Sequence, residues 1–174
     1  MQIINKKNPW PKGWGQKTSI MGVINLTPDS FSDGGELNSS KKVLDQVNHF
    51  LSNGVDIIDL GAQSTRPGAK EVGAIIEKKR LIPYLKLIRS EYPEILISID
   101  TFNSNVAYEA LSNGADWIND VTGGRRDKEI LNVVSEFNCP FVITHSRGNS
   151  KNMNELSKYD NVLSEVKFSL EILI

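Results

Sequence analysis

Five short apolar runs in this chain each empty into residues able to grip a polar ligand. SIMGVI leads into NLTPDSFSDGG, Asn25 to Gly35, which sets two carboxylates, three hydroxyls, an amide and a Phe in eleven residues. DIIDL carries Asp59 and leads into GAQSTRPGA, Gly61 to Ala69. LISID ends in Asp100 and Thr101, WIN in Asn119 and Asp120 before TGG, and FVIT in His145, Ser146 and Arg147. Arg66 offers a planar fork of donors suited to carboxylate or phosphate. Thr65 sets a hydroxyl beside it, Pro67 stiffens the loop and Gly68 lets it turn. An Arg loop next to an Asp/Ser/Asn loop suits an anionic substrate with a divalent cation. Mg²⁺ prefers oxygen ligands and shares them with substrate phosphates, and the Asn25 amide could supply one. The glycine cradles GxGxxG and GxxxxGK[ST] are both missing, so a bound phosphate would be held by Arg and metal.

Each residue also has a plainer role. A terminal Asp often caps the next helix, which fits Asp100 and Asp120 as well as ligand binding does. Asn119 and Asp120 are adjacent in a strand and point to opposite faces, so at most one caps. His145 reads as a hydrogen-bonded structural histidine, because no second His or Cys stands at zinc-like spacing. His49 reads as solvated, and Asp56 and Lys70 as surface charges.

The elements that must position these groups alternate in type. Strands read over Ser19–Asn25, Asp56–Ala62, Leu96–Thr101, Trp117–Gly123 and Pro140–His145. Helices read over Lys41–Gly54, Gly73–Tyr92, Asn103–Gly114, Lys128–Asn138 and Asn161–Ile174. Val43, Leu44, Val47, Phe50 and Leu51 give the first helix its apolar stripe, and Gly54 stops it. Pro83 predicts a kink or break in the second. Five βα units with near-continuous apolar strands fit a parallel sheet covered on both faces. A doubly wound open sheet and a (β/α)₈ barrel both accept this pattern, and length alone favours the open sheet. In either, ligands bind at the carboxyl ends of the strands.

The 174 residues predict one domain over 1–174. A net charge of −1 with interspersed signs argues against nucleic acid as a partner. The single cysteine, Cys139, rules out an intrachain disulfide framework and agrees with a cytoplasmic setting. The first residues hold no apolar core of a signal peptide, and no run approaches the ~20 apolar residues of a membrane span.

MGVINLTPDSFSDGG, DLGAQSTRPGA, ISIDT and INDVTGG, in this order and at this spacing, resemble dihydropteroate synthase of the pterin-binding enzyme family. The resemblance covers the chain from about Ser19 onward. It implies an α/β fold of the TIM (β/α)₈-barrel type, incomplete here with five of eight βα units. It implies condensation of 6-hydroxymethyl-7,8-dihydropterin diphosphate with 4-aminobenzoate, giving 7,8-dihydropteroate and diphosphate for folate biosynthesis. By resemblance, Asn25 would bind Mg²⁺ and the diphosphate, and Asp100 and Asn119 the pterin ring above Asp59. Thr65 and Arg66 would meet the diphosphate and the mouth of the second site. Pro28, Phe31 and Pro67 would pack on the aminobenzoate ring. Asp33 would stabilise charge developing as the carbon–oxygen bond loosens, the first loop closing as a lid. A homodimer is implied for a full-length form.

Two departures stand out. The family carries a Met–His–Met-like segment in strand five, whereas here Thr144 precedes His145 and Ser146. Three further βα units of the family, with an Asp-Pro-Gly strand end, a Lys and an Arg–His pair, have no counterpart in these 174 residues. The expectation is therefore the front of a longer protein or a truncated product, inactive as 174 residues, with an inactive pterin-binding module as the alternative. Five barrel strands leave open edges on the first and fifth.

Overall fold

A computed structural model of the chain describes residues 8–27, 35–63, 72–148 and 152–173. Among them five strands alternate with five helices. The strands are β1 Met21–Asn25, β2 Ile57–Gly61, β3 Leu96–Asp100, β4 Trp117–Asp120 and β5 Phe141–Ile143. The helices are α1 Gly35–Ser52, α2 Ala74–Glu91, α3 Ser104–Ser112, α4 Glu129–Phe137 and α5 Val162–Glu171. The sheet runs β1-β2-β3-β4-β5 with every neighbouring pair parallel. A doubly wound sheet would reverse its strand order partway, so this sequential order belongs to the barrel type.

Because side chains alternate along a strand, the register sorts the sheet into two faces. Ile24, Ile58, Leu60, Ile97, Ile99 and Ile118 share one face and are almost fully buried. They pack against Val43 and Val47 of α1, Leu81, Leu85 and Ile88 of α2, Val106 and Ala110 of α3, and Ile130 of α4. That layer is the hydrophobic core. The opposite face carries Asn25, Asp59, Ser98, Asp100 and Asn119.

Several boundaries differ from the sequence reading. α1 starts at Gly35, six residues before the periodic pattern begins, because Asn38, Ser39 and Ser40 carry no helix signal. Pro83 neither breaks nor splits α2, which is continuous from Ala74 to Glu91. The proline is exposed while Leu81, Ile82, Leu85 and Ile88 are buried around it, so packing on the sheet outweighs one missing hydrogen bond. β4 ends at Asp120, where a turn begins, and β5 keeps only three residues. Asp56 is not an idle surface charge. Its carboxylate accepts from the Ile20 amide at 3.0 Å and from Lys17 Nζ at 3.3 Å, anchoring the entry to β1.

At the amino ends of the strands, Trp10, Trp14 and Trp117 form a cluster with ring centroids 5.0 to 5.4 Å apart. Trp117 Nε1 donates to Pro9 O at 2.6 Å, tying the leading segment under the sheet. Among the described residues no helix is long and apolar enough to cross a membrane.

Candidate functional site

Asn25, Gly61, Asp100, Asn119 and Val142 occupy one register row across the carboxyl ends of the five strands. The row places an amide, a gap, a carboxylate and a second amide side by side. Gly61 makes the gap. A Cβ there would lie 3.3 Å from Asp100 Oδ2 and 3.7 Å from Asn25 Oδ1, so any side chain would crowd both groups. Asn25 is exposed, whereas Asp100 and Asn119 are half-buried and still reachable.

One pleat deeper lie Asp59, Ser98 and Trp117, also in register. Asp59 is only 3% exposed and accepts from Asn119 Nδ2 at 3.2 Å through Oδ2. That bond fixes Asn119, whose amide would otherwise flip freely. Asp59 Oδ1 and Ser98 Oγ are buried and make no hydrogen bond. Such atoms cost about 1–3 kcal/mol each, a cost that binding sites commonly carry. Burial pushes the Asp59 carboxyl above its ordinary range, against the pull of the neighbouring Ser98 and Asn119 side chains. Burial, then the charges of Asp59, Glu77 and Asp120, push Asp100 up to about 7. Acidic groups gathered in one row suit the donor-rich edge of an aminopyrimidine-like ring, which a carboxylate and an amide can bracket.

The two adjacent polar residues of β4 part as the strand period requires. Asp120 is fully buried on the helix side and accepts from Thr122 N at 2.7 Å, Thr122 Oγ1 at 2.8 Å and Gly124 N at 2.7 Å. It builds the turn after β4, and Asn119 is left for the inner face. Asp100 does not cap α3 either, since Asn103 Oδ1 accepts from Asn105 N at 3.0 Å. His145 is held at both ring nitrogens, by Ser169 Oγ at 2.8 Å and Tyr159 OH at 2.9 Å. It joins β5 to α5 as a structural histidine. His49 is exposed at the end of α1.

Sequence reasoning missed four residues around the row. Gly61 and Ser98 are read above. Gln63 is buried, and its Oε1 accepts from Val72 N at 3.0 Å, tying the end of β2 to the start of α2. Glu77, in the first turn of α2, is 1% exposed, and burial pushes its carboxyl above the ordinary range. Only Gln63 carried a local signal, since a side-chain amide at a loop base often bonds backbone. Pro28, Phe31, Asp33, Thr65, Arg66, Pro67 and Lys70 lie outside the described residues.

Comparison with known proteins bears on what this row holds. Residues 21–172 match the family described as pterin binding enzyme. The mitochondrial folate synthesis bifunctional protein of Pisum sativum is 47% identical over 162 residues, covering 90% of this chain and 31% of that protein. Dihydropteroate synthase of Synechocystis is 43% identical over 161 residues, covering 91% of this chain and 55% of that enzyme. A crystal structure of dihydropteroate synthase from Clostridium difficile, obtained in the presence of pteroic acid, superposes with a TM-score of 0.78 at 38% identity. That superposition takes in 91% of this chain and 59% of the solved one. The chain thus spans about a third to just over half the length of these relatives.

Proposed function

This chain belongs to the pterin-binding enzyme family, and on that premise we propose that it supplies the pterin side of a dihydropteroate synthase site. The substrates would be 6-hydroxymethyl-7,8-dihydropterin diphosphate and 4-aminobenzoate. Pteroic acid, present with the Clostridium difficile enzyme, is a pterin joined to 4-aminobenzoate, the skeleton such a condensation makes. The observation that carries the reading is the register row Asn25–Gly61–Asp100–Asn119, with Asn119 locked by Asp59.

In this reading the Asp100 carboxylate accepts from the pterin amino group and ring N–H, and the Asn119 amide takes the mixed face beside it. Gly61 leaves room for the ring to lie flat over β2. Positioning supplies much of the rate, because the aromatic amine is neutral and nucleophilic at pH 7. The amine nitrogen attacks the methylene carbon as its bond to the diphosphate oxygen breaks, and the amine loses a proton to solvent. Arg66 and Asp33 are the residues proposed to meet the leaving anion and the electron-poor carbon.

Mg²⁺ fits here as an ion delivered with the substrate. Asn25 offers one exposed oxygen, and among the described residues no group of three His, Cys, Asp or Glu side chains could hold a metal unaided. An ion sharing that oxygen with a diphosphate would neutralise charge on the leaving group. Protomer pairing and a cytoplasmic setting belong to the same proposal. Dihydropteroate formation from the two substrates is the test, run on a full-length form that carries the remaining βα units and on its variants. Asp100→Ala and Asn119→Ala should weaken pterin binding, and Arg66→Ala and Asp33→Ala should depress turnover. Full activity in Asp100→Ala would reject the assignment.

A further inference from the structure

The loops that follow β3 and β4 are tied to each other just beyond Asp100 and Asn119. The Thr101 amide donates to Asn119 O at 3.1 Å and makes the last rung between the two strands. Past that rung, the Arg126 guanidinium lies over the Phe102 ring, 4.3 Å from its centroid. Further out, Asp127 Oδ2 accepts from the Ser104 amide at 2.8 Å. Its other oxygen, Oδ1, accepts from the Glu129 amide at 3.2 Å. One carboxylate thus takes the first N–H of α3 and the first N–H of α4, where backbone donors lack helical partners and the helix dipoles are positive. Against the cost of burial, the Ser104 and Glu129 amides hold the Asp127 carboxyl below its ordinary range. Capping alone does not call for the longer of these reaches. α3 already has a cap in Asn103, whose Oδ1 accepts from Asn105 N at 3.0 Å. The bond from Asp127 to Ser104 instead spans 23 residues of chain and joins the two elements that carry Asp100 and Asn119.

We propose that Asp127 is a positioning residue: by clasping the start of α3 to the start of α4, it holds Asp100 and Asn119 at the spacing that receives the pterin edge. The inference rests on the pterin reading above and extends it to a residue outside the binding row. Asp100 and Asn119 face each other in register from neighbouring strands, so any splay of β3 from β4 parts the carboxylate from the amide. Two substitutions cut the clasp and spare the caps. Ser104→Pro removes the donor at the first helical position, where the fixed φ of proline suits a helix start, and Asn103 before it is already extended. Asp127 is partly exposed, so water can satisfy the oxygen that this change frees. Asp127→Ser keeps a hydroxyl acceptor for the Glu129 amide but is too short to reach Ser104. Asn103→Ala does the reverse, stripping the α3 cap and leaving the clasp.

The variants are compared in a full-length form that carries the remaining βα units. Calorimetric titration with 6-hydroxymethylpterin should show about tenfold weaker binding in Ser104→Pro and in Asp127→Ser, the loss of one charge-assisted hydrogen bond. The double variant should bind no more weakly than either single one, because both cut the same bond. Asn103→Ala should lower the urea midpoint and leave pterin affinity unchanged. Hydrogen exchange at the Thr101 amide needs no ligand, and it should quicken about tenfold in the two clasp variants and hold in Asn103→Ala. Should Ser104→Pro fail to fold, Asp127→Ser against Asn103→Ala still decides. Unaltered pterin affinity in Asp127→Ser, additive losses in the double variant, or an equal loss of affinity in Asn103→Ala would each overturn the role. A parent that binds no pterin, with exchange still quickened in the clasp variants, would reject the ligand and keep Asp127 as the clasp of the two strand ends.

Discussion

The two faces of the same five strands obey different rules. On β3, Ile97 and Ile99 turn outward and vanish under α2 and α3, whereas Ser98 and Asp100 turn inward. The outer face is built as a core, its isoleucines and Leu60 on β1 to β4 packed into one cluster with Phe141 of β5 against it, and its one buried carboxylate, Asp120, is bonded to the turn after β4. The inner face gathers Asp59, Ser98 and Asp100 with two of their buried polar atoms unbonded. Stability and recognition are thus separated by one residue of strand register, and a change on one face should leave the other's property largely intact.

Truncating the outer face gives the largest expected effect. Ile99→Ala or Leu85→Ala should cost about 2–5 kcal/mol in urea unfolding, with pterin affinity preserved in the folded fraction. A cost under about 1 kcal/mol would break the contrast. On the inner face, Asp100→Ala should weaken pterin binding by about 1.5–3 kcal/mol in calorimetry while the urea midpoint holds or rises. A large loss of stability there would mean that the row carries the fold as well.

The next effect is in pH. With its carboxyl at about 7 against an ordinary 3.8, native Asp100 retains a proton that the unfolded chain has released. Stability should therefore be free of this penalty below pH 3.8, fall as pH rises towards 7 and level off above it. Asp100→Asn should make that fall shallower in unfolding curves taken across this window, with the raised Asp59 and Glu77 accounting for what remains. A wild-type stability that climbs from pH 5 to 7 by the same amount in the variant would remove Asp100 from the account. The smallest effect belongs to Ser98→Ala. Deleting a buried hydroxyl with no partner should change stability by about 1 kcal/mol at most, in the stabilising direction. A clear destabilisation would show that Ser98 is bonded in solution.

Much of this division was legible in the sequence. Period two along a strand separates Asn119 from Asp120, and the structure keeps that separation, one bridging to Asp59 and the other building a turn. Polar residues at successive strand ends announced the row, and the loop motifs pointed to strand order 1-2-3-4-5. Glu77 was invisible for a physical reason. In GAIIEKKRL the isoleucines look like the buried positions, yet Ile75 is 81% exposed and Glu77 1%. The packing of Leu81, Leu85 and Ile88 on the sheet fixes the helix's rotation from residues further along, and local periodicity at its first turn carries no record of it. Pro83 misled similarly, since its breaking tendency is local and the packing that overrides it comes from the sheet.

The tryptophan cluster has an optical consequence. The chain has three tryptophans, and Trp10, Trp14 and Trp117 all stand in that one cluster. Trp117 precedes Asn119 by two residues on the same inner face, about 7 Å along the strand. Tryptophan emission from this molecule therefore comes from a single address at the floor of the ligand row. A near-ultraviolet-absorbing heterocycle resting on Asn119 sits within energy-transfer distance of it, so the protein carries its own donor lamp for watching that row fill, without any label.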